Sequence, residues 1–418
     1  MRDDIGFAQG RIAIFQYVAL AVFLLLICGF WVLQVREHEA NSELAERNRI
    51  KTVPIPAPRG KILDRDGRVL VDNAPSVTLM LTPENLKMEH LEPIARGLNL
   101  DLDELRAKVK RYLAGRKFAT IPIKEELTPA DLAFVESHRD AETFPEMELI
   151  RTPRRLYPQD GLAAHVIGYI GEVSEQELDS AEFAKYSQGD KVGKMGLERQ
   201  YNDILTGVAG ERRVVVDVGM REREVLDSKE PTPGQNLQTT LDLDLQAVAE
   251  LAMDGRKGAV VALDPRNGEV LAMVSRPAFD PNVFATHIRT SDLNALVNNP
   301  DHPFLNHAIQ VQFAPGSTFK PIVALAGLET GVLEPSTTYY CPGFATFYGA
   351  THKCDAVHGT INLHQAIVHS CDVYFYNVGN HLSIDTIAHY AQLAGIGKKT
   401  LIDLPGEAEG IMPSTQWK

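Results

Sequence analysis

The feature that most limits how this chain can fold is a stretch of 22 uncharged, largely apolar residues at positions 12–33, IAIFQYVALAVFLLLICGFWVL. At about 1.5 Å of helix rise per residue, it matches the roughly 30 Å hydrocarbon core of a bilayer. It is too long for the apolar region of a signal peptide, and no small-x-small cleavage pattern follows it. We read an uncleaved single transmembrane helix, with Tyr17 and Trp31 suited to the two interfaces. Residues 1–11 then form a short cytoplasmic tail. Charge does not set the orientation: Arg2 and Arg11 precede the span, whereas Arg36, Arg47, Arg49 and Lys51 follow it. That distribution leans toward the opposite topology, so placing the body outside the cytoplasm rests on the chemistry encoded further along.

Residues 37–49 are charged and rich in Ala and Glu, which predicts a helix continuing the span outward until Pro54, Pro56 and Pro58 end it. Asp66-Gly67 lies between two short apolar runs and predicts a hairpin within residues 59–71. Residues 102–113 and 127–138 read as helices, the second capped at Thr128-Pro129. His165 reads as a hydrogen-bonded structural histidine and residues 214–218 as a strand. Pro231-Thr232-Pro233-Gly234 punctuates the chain like a linker. Beyond it come an amphipathic helix at 241–253 and two strands, 258–263 and 269–274, joined by Asp264-Pro265-Arg266-Asn267-Gly268. Helices on an antiparallel sheet make an α+β domain from 236 to 418, preceded by an elongated mixed α/β domain from 38 to 235. A net charge of -13 argues against nucleic acid as a partner.

The chemistry gathers at Pro315-Gly316-Ser317-Thr318-Phe319-Lys320-Pro321. Pro321 has no amide hydrogen and fits a helix only near its start, which places Ser317 at the N-terminus and Lys320 a turn later on the same face. A serine hydroxyl is a weak nucleophile until a neighbouring base takes its proton, and a deprotonated lysine can be that base. This is the Ser-x-x-Lys arrangement of penicillin-recognising acyl-serine transferases.

Other segments extend that likeness over most of the chain. Arg59-Gly60, Ile62, Asp64-Arg65, Gly67 and Leu70, then Arg155, Tyr157-Pro158, and then Gly193, Gly196 and Glu198 stand in the order of the motifs of class B penicillin-binding proteins. The chain resembles that family of membrane-anchored cell-wall transpeptidases. It departs at His307, where arginine is common, and at Ala314, where proline is common. The resemblance makes residues 38–235 a non-catalytic pedestal of the dimerisation type and 236–418 the N-terminal part of the transpeptidase domain. It identifies Ser370-Cys371-Asp372 as the second motif, Ser370 relaying a proton and Asp372 holding it in place. Asp372, where asparagine is usual, resembles the elongation branch. The third motif, Lys-Thr/Ser-Gly, is absent: Lys399-Thr400-Leu401 imitates it but ends in leucine. With the chain ending at Lys418, we expect the N-terminal portion of a longer enzyme.

Of the four cysteines, Cys28 lies in the apolar span and Cys341, Cys354 and Cys371 surround the second motif. With His358 they make a Cys₃His set suited to structural zinc, His352 and Asp355 being spare donors. The other use of the same residues is a Cys341–Cys354 disulfide beside a buried Cys371.

The resemblance implies an elongation-type peptidoglycan D,D-transpeptidase, single-pass in the bacterial inner membrane with its bulk in the periplasm. Ser317 would attack the D-Ala-D-Ala terminus of a stem peptide, and β-lactams would acylate the same hydroxyl. No cofactor is implied for catalysis, and a SEDS-family glycosyltransferase is the implied partner. The rival readings are a division-type relative, a membrane β-lactam sensor and a non-catalytic scaffold. One span with a short tail counts against a sensor, and intact Ser317, Lys320 and Ser370 count against a scaffold.

Overall fold

The computed structural model describes residues 3–36, 50–83, 86–115, 120–139, 143–216, 222–286, 288 and 290–417. The helix expected over residues 37–49 lies outside them. Helix α1, Asp3–Trp31, continues as a π-helical turn, Val32–Arg36. Phe23, Leu24, Leu25 and Leu26, consecutive around the helix, are all exposed. Apolar on every side from Tyr17 to Trp31 and left exposed by the described residues, this part of α1 has the surface of a lipid-facing helix. It is the one described helix long and apolar enough to cross a membrane.

Strand β1 is Ile50–Ile55. The expected hairpin follows, β2 (Ile62–Leu63) pairing antiparallel with the start of β3 (Val69–Leu81), Ile62 opposite Val71. Asp64 organises its turn. The carboxylate is fully buried and accepts from the Asp66 amide at 2.9 Å, the Arg68 amide at 2.8 Å and Arg68 Nε at 2.7 Å. Gly67, at φ +82°, takes the left-handed position that a side chain disfavours. The end of β3 pairs with β4, Ile121–Lys124. Helix α2, Pro129–His138, begins at Thr128 in a reciprocal capping box with Asp131, as Thr128-Pro129 predicts. Strand β5, Met147–Leu156, also pairs with β3. Short strands β6 (Ile170–Glu172) and β7 (Lys191–Gly193) pair antiparallel, and β8 (Gly210–Val216) lies between β1 and β9 (Glu222–Lys229). Strand β10, Leu237–Gln238, makes a parallel pair with β2. Helix α3, Leu243–Ala252, is capped by Asp242, and β11 (Gly258–Leu263) and β12 (Val270–Arg276) form the expected antiparallel pair.

Two compact units interleave along the sequence. One comprises residues 1–60, 73–154 and 206–235. Its core packs Leu79, Leu81, Ile121 and Ile123 of the strands against Leu91, Ile94 and Val109 of neighbouring helices and Leu98 just after one of them. The other comprises residues 61–72, 155–205 and 236–418 and carries the nucleophile motif. One of its cores joins Ile62, Val71, Tyr157, Val166, Leu197, Leu241 and Met273.

In that second unit the Arg155 and Gly193 motifs meet. Arg155 Nε donates to Glu198 Oε1 at 2.6 Å, with both side chains fully buried. A Cβ on Gly193 would sit 1.9 Å from the Glu198 carbonyl oxygen, and Gly196 holds φ +58°, so glycine is required at both positions. Removing one partner of a buried ion pair strands the other charge without water. Glu198→Ala is therefore expected to lower stability by about 3–5 kcal/mol, read from the urea unfolding midpoint. A change under 1 kcal/mol would mean that water reaches Arg155 in the folded state.

Candidate active site

Gly316, at φ +58°, turns the chain into a 3₁₀ turn, Gly316–Phe319, and helix α4 runs on from there over Lys320–Glu329. Pro321 falls in the first turn of α4, where its missing amide costs no hydrogen bond. The spacing predicts a helix starting at Ser317; the first turn is 3₁₀, tightened by Thr318 Oγ1 donating to the Pro315 carbonyl at 2.6 Å. Ser317 is exposed, and the Lys320 side chain is only 12% exposed.

The second motif reaches this turn from a separate element. Strands β13 (Thr338–Cys341), β14 (Phe344–Phe347), β15 (Ala350–Lys353) and β16 (Gly359–Asn362) lead to helices α5, Leu363–Val368, and α6, Asp372–His381. Between these helices Ser370 sits at φ +53°, a conformation uncommon for a side-chain-bearing residue and held here by its surroundings. The Cys371 amide donates to the Ala366 carbonyl at 2.9 Å, and Cys371 Sγ caps α6 by accepting from the Tyr374 amide at 3.4 Å. Beneath lies a core that includes Val323, Ala326, Ala366, Val373 and Val378.

The structure brings Ser317, Lys320, Ser370 and Asp372 into one hydrogen-bonded group. Lys320 Nζ lies 3.1 Å from Ser317 Oγ, 2.9 Å from Ser370 Oγ, 2.6 Å from the Ser370 carbonyl oxygen and 2.6 Å from Asp372 Oδ1. Ser370 Oγ donates to Ser317 Oγ at 2.9 Å. An ammonium has three protons and faces four oxygens here, so all four cannot be served at once. The Ser370 carbonyl and the Asp372 carboxylate can only accept. Two N–H groups directed at them leave the third position of the nitrogen facing the two hydroxyls. On a neutral amine that position is a lone pair, placed to take a hydroxyl proton. The contribution of the Ser370 carbonyl is one that residue types alone do not signal.

Cys341, Cys354, His358 and Cys371 also converge, their ligand atoms all within 4.8 Å of one another. His358 Nδ1 is 3.6 Å from Cys341 Sγ and 3.6 Å from Cys354 Sγ, and Cys354 Sγ is 3.9 Å from Cys371 Sγ. All the cysteines are free thiols. Burial pushes the Cys371 thiol up to about 12. Burial also works against a charged Cys354, but the amides of Val373, Ala356 and Asp372 outweigh it and hold its pKa below the usual thiol value. His352 lies outside this group, against the Tyr376 ring.

The remaining candidates sit elsewhere. Lys399-Thr400-Leu401 is in a loop, where Thr400 donates through its amide and hydroxyl to Glu407 Oε1, both at 2.6 Å, and Leu401 is exposed at φ +64°. His165 is buried, and its Nε2 donates to the Pro303 carbonyl at 2.7 Å, as a structural histidine should. Burial lowers its pKa to about 4. His307 is tied through its amide to Ser275 Oγ at 2.9 Å, away from the reacting groups.

The penicillin-binding protein dimerisation domain family matches residues 54–239, and the penicillin-binding protein transpeptidase domain family matches residues 258–418. The chain is 36% identical over 419 aligned residues to the peptidoglycan D,D-transpeptidase MrdA of Acinetobacter baumannii, covering 98% of this chain and 62% of that protein. With MrdA of Escherichia coli K12 the identity is 34%, over 97% of this chain and 66% of that protein. The chain thus spans a little under two thirds of the length of these relatives. Penicillin-binding protein PBP2 of Helicobacter pylori, solved in complex with MreC, superposes with a TM-score of 0.76 at 29% identity, covering 88% of this chain and 70% of that one. The chain belongs to the PBP2 (MrdA) family of elongation-type class B penicillin-binding proteins.

Proposed function

We propose that this protein is a peptidoglycan D,D-transpeptidase that cross-links stem peptides during cell-wall elongation through an acyl-serine intermediate. The observation that carries this is Lys320 Nζ within 3.1 Å of the Ser317 and Ser370 hydroxyls together. Ser317 Oγ attacks the carbonyl of the penultimate D-Ala while its proton passes to the neutral Lys320 amine. The Ser317 amide, in the first turn of a helix where amides lack an intrahelical acceptor, suits the developing oxyanion. As the C–N bond breaks, the departing D-Ala amine takes the Ser370 hydroxyl proton, which Lys320 replaces across 2.9 Å. The amine of a second stem peptide then attacks the ester and gives up its proton through Ser370 to Lys320. Lys320 returns a proton across 3.1 Å to the departing Ser317 Oγ, restoring the serine hydroxyl and the neutral amine. Asp372 keeps Lys320 aimed at both hydroxyls. A β-lactam would acylate Ser317 by the same first step. Incubation of a longer form of the enzyme that carries the Lys-Thr/Ser-Gly motif with a D-Ala-D-Ala-terminated stem peptide should release D-Ala, and an acceptor strand should yield a cross-linked dimer. No D-Ala release from that folded, longer form with intact Ser317 would contradict this function.

Residues 12–33 serve as the membrane anchor, residues 38–235 as the pedestal and 236–418 as transpeptidase domain, with the bulk in the periplasm. The exposed apolar surface of α1 supports the anchor. Membership of the elongation branch supports a SEDS-family glycosyltransferase as partner. The H. pylori PBP2–MreC complex supports a MreC-type partner as well.

Cys341, Cys354, His358 and Cys371 are proposed as ligands of a structural zinc ion. A tetrahedral zinc with Zn–S about 2.3 Å and Zn–N about 2.0–2.1 Å separates two sulfurs by roughly 3.8 Å and sulfur from nitrogen by roughly 3.6 Å. Three of the six ligand separations, one of 3.9 Å and two of 3.6 Å, match those edges, and all four ligand atoms lie within 4.8 Å of one another. Bound there, zinc supplies no reaction chemistry and fixes Cys371, hence its neighbours Ser370 and Asp372.

A further inference from the structure

The same thiols can take part in a second kind of chemistry. Cys354 and Cys371 are both free, with their sulfurs 3.9 Å apart. Cys371 is fully buried and Cys341 is 1% exposed, whereas Cys354 is only partly buried. Cys354 follows directly on the β14–β15 hairpin, its amide donating to the Gly343 carbonyl at 2.9 Å, and its sulfur lies 3.9 Å from Cys371 Sγ at the start of α6. Solvent therefore reaches Cys354 first, and Cys371, whose sulfur lies 3.9 Å away between two residues of the reacting group, is placed to resolve an adduct there.

We propose that Cys354 and Cys371 form a redox-sensitive pair whose oxidation to a disulfide releases the metal and displaces Ser370 and Asp372, switching acylation off. The oxidant is a disulfide, from a small molecule or an oxidoreductase. The Cys354 thiolate attacks one of its sulfurs, giving a mixed disulfide and one thiol. Cys371 Sγ then attacks Cys354 Sγ, its proton passing to the departing sulfur, and expels the second thiol. Two protein thiols are oxidised, one disulfide is reduced to two thiols, and two ligands are withdrawn from the metal.

Geometry couples this event to the site. An S–S bond of about 2.05 Å requires the sulfurs to close by about 1.9 Å from their present separation. Cys371 cannot make that shift and still cap α6 through the Tyr374 amide. Ser370, next in the chain, holds a left-handed conformation and two contacts to Lys320 at 2.6 and 2.9 Å. Contacts that short do not survive a displacement of an ångström. The loss of acylation rests on the acyl-serine reading; pair formation, metal release and displacement do not.

The test treats the full chain with oxidised glutathione, with and without prior zinc removal by chelator. Non-reducing peptide mapping should find Cys354 joined to Cys371, two hydrogens lighter, with zinc released from the loaded protein. Amide exchange over residues 369–373 should rise. Penicillin acylation should fall at least tenfold and return on reduction. Cys341→Ser should still form the Cys354–Cys371 link, and Cys354→Ser should not. A Cys341–Cys354 link, a stable mixed disulfide, or a Cys354–Cys371 link with exchange and acylation unchanged would overturn the proposal. If the reduced protein fails to acylate at all, the acyl-serine reading falls, and linkage, zinc release and exchange still decide this one.

Discussion

Ser317→Ala is expected to abolish covalent labelling by a fluorescent penicillin, and Lys320→Ala to slow acylation by roughly 10²–10⁴-fold. The two differ in kind because, in the proposed mechanism, the serine supplies the atom that forms the bond and the lysine only moves a proton. Replacing Ser317 removes one exposed hydroxyl and leaves the fold alone, so its loss of labelling reports chemistry directly. Lys320 needs more care. Its nitrogen holds the Ser370 carbonyl and the Asp372 carboxylate at 2.6 Å, and truncation strands both acceptors. The Asp372 side chain is 24% exposed and recovers water, so the folding cost stays modest. Circular dichroism melting of Lys320→Ala should therefore stay close to the parent while acylation collapses. Labelling of Ser317→Ala at parental stoichiometry would move the nucleophile elsewhere. Parental rates in Lys320→Ala would remove it as the base.

The second large effect is expected from the metal. Protein purified without chelator should carry about one zinc ion per chain, and His358→Ala and Cys371→Ser should each lose it. Both should also reduce penicillin acylation, by about 10–100-fold, the usual scale for groups that support a site from behind. Cys371 is flanked by Ser370 and Asp372, so its substitution could act locally. His358 is twelve residues upstream of Ser370 and touches none of the reacting atoms, but its ring stacks on His369, next to Ser370, at 5.8 Å. Restoration of acylation in chelator-treated parent protein by added zinc is therefore what separates the metal from local packing. Apparent zinc-binding energies of about 10–16 kcal/mol in small domains leave room for a large fall in stability on chelation as well. A metal-free protein with a Cys341–Cys354 disulfide and full acylation would end the zinc assignment and leave the role of Ser317 untouched.

How much of this was legible in the sequence depends on how far apart the partners lie. Ser317 and Lys320 are three residues apart, and helix geometry alone puts them on one face. Pro321 even marks where that helix begins. The hairpin at Asp66-Gly67 and the cap at Thr128 were equally readable, because the turn and the cap each bond within a few residues. Partners distant in sequence were not readable. Arg155 and Glu198 stand in separate motifs, and nothing local shows that they form a buried ion pair. The interleaving of the two units is hidden for the same reason: residues 61–72 and 155–205 pack with 236–418 by contacts that composition does not report. Ser370 lies between these cases. Its motif is visible, but the left-handed backbone that aims its carbonyl at Lys320 carries no residue signature, since glycine or asparagine would be the usual choice there.

The central claim is that Ser317 is the acylated nucleophile. Its most direct test is peptide mapping by mass spectrometry after brief treatment with benzylpenicillin. A single penicilloyl adduct on the Ser317 hydroxyl, absent when the protein is denatured first, is the predicted result. An adduct on Ser370 or Lys320 in the folded protein, or no adduct at all, would contradict it.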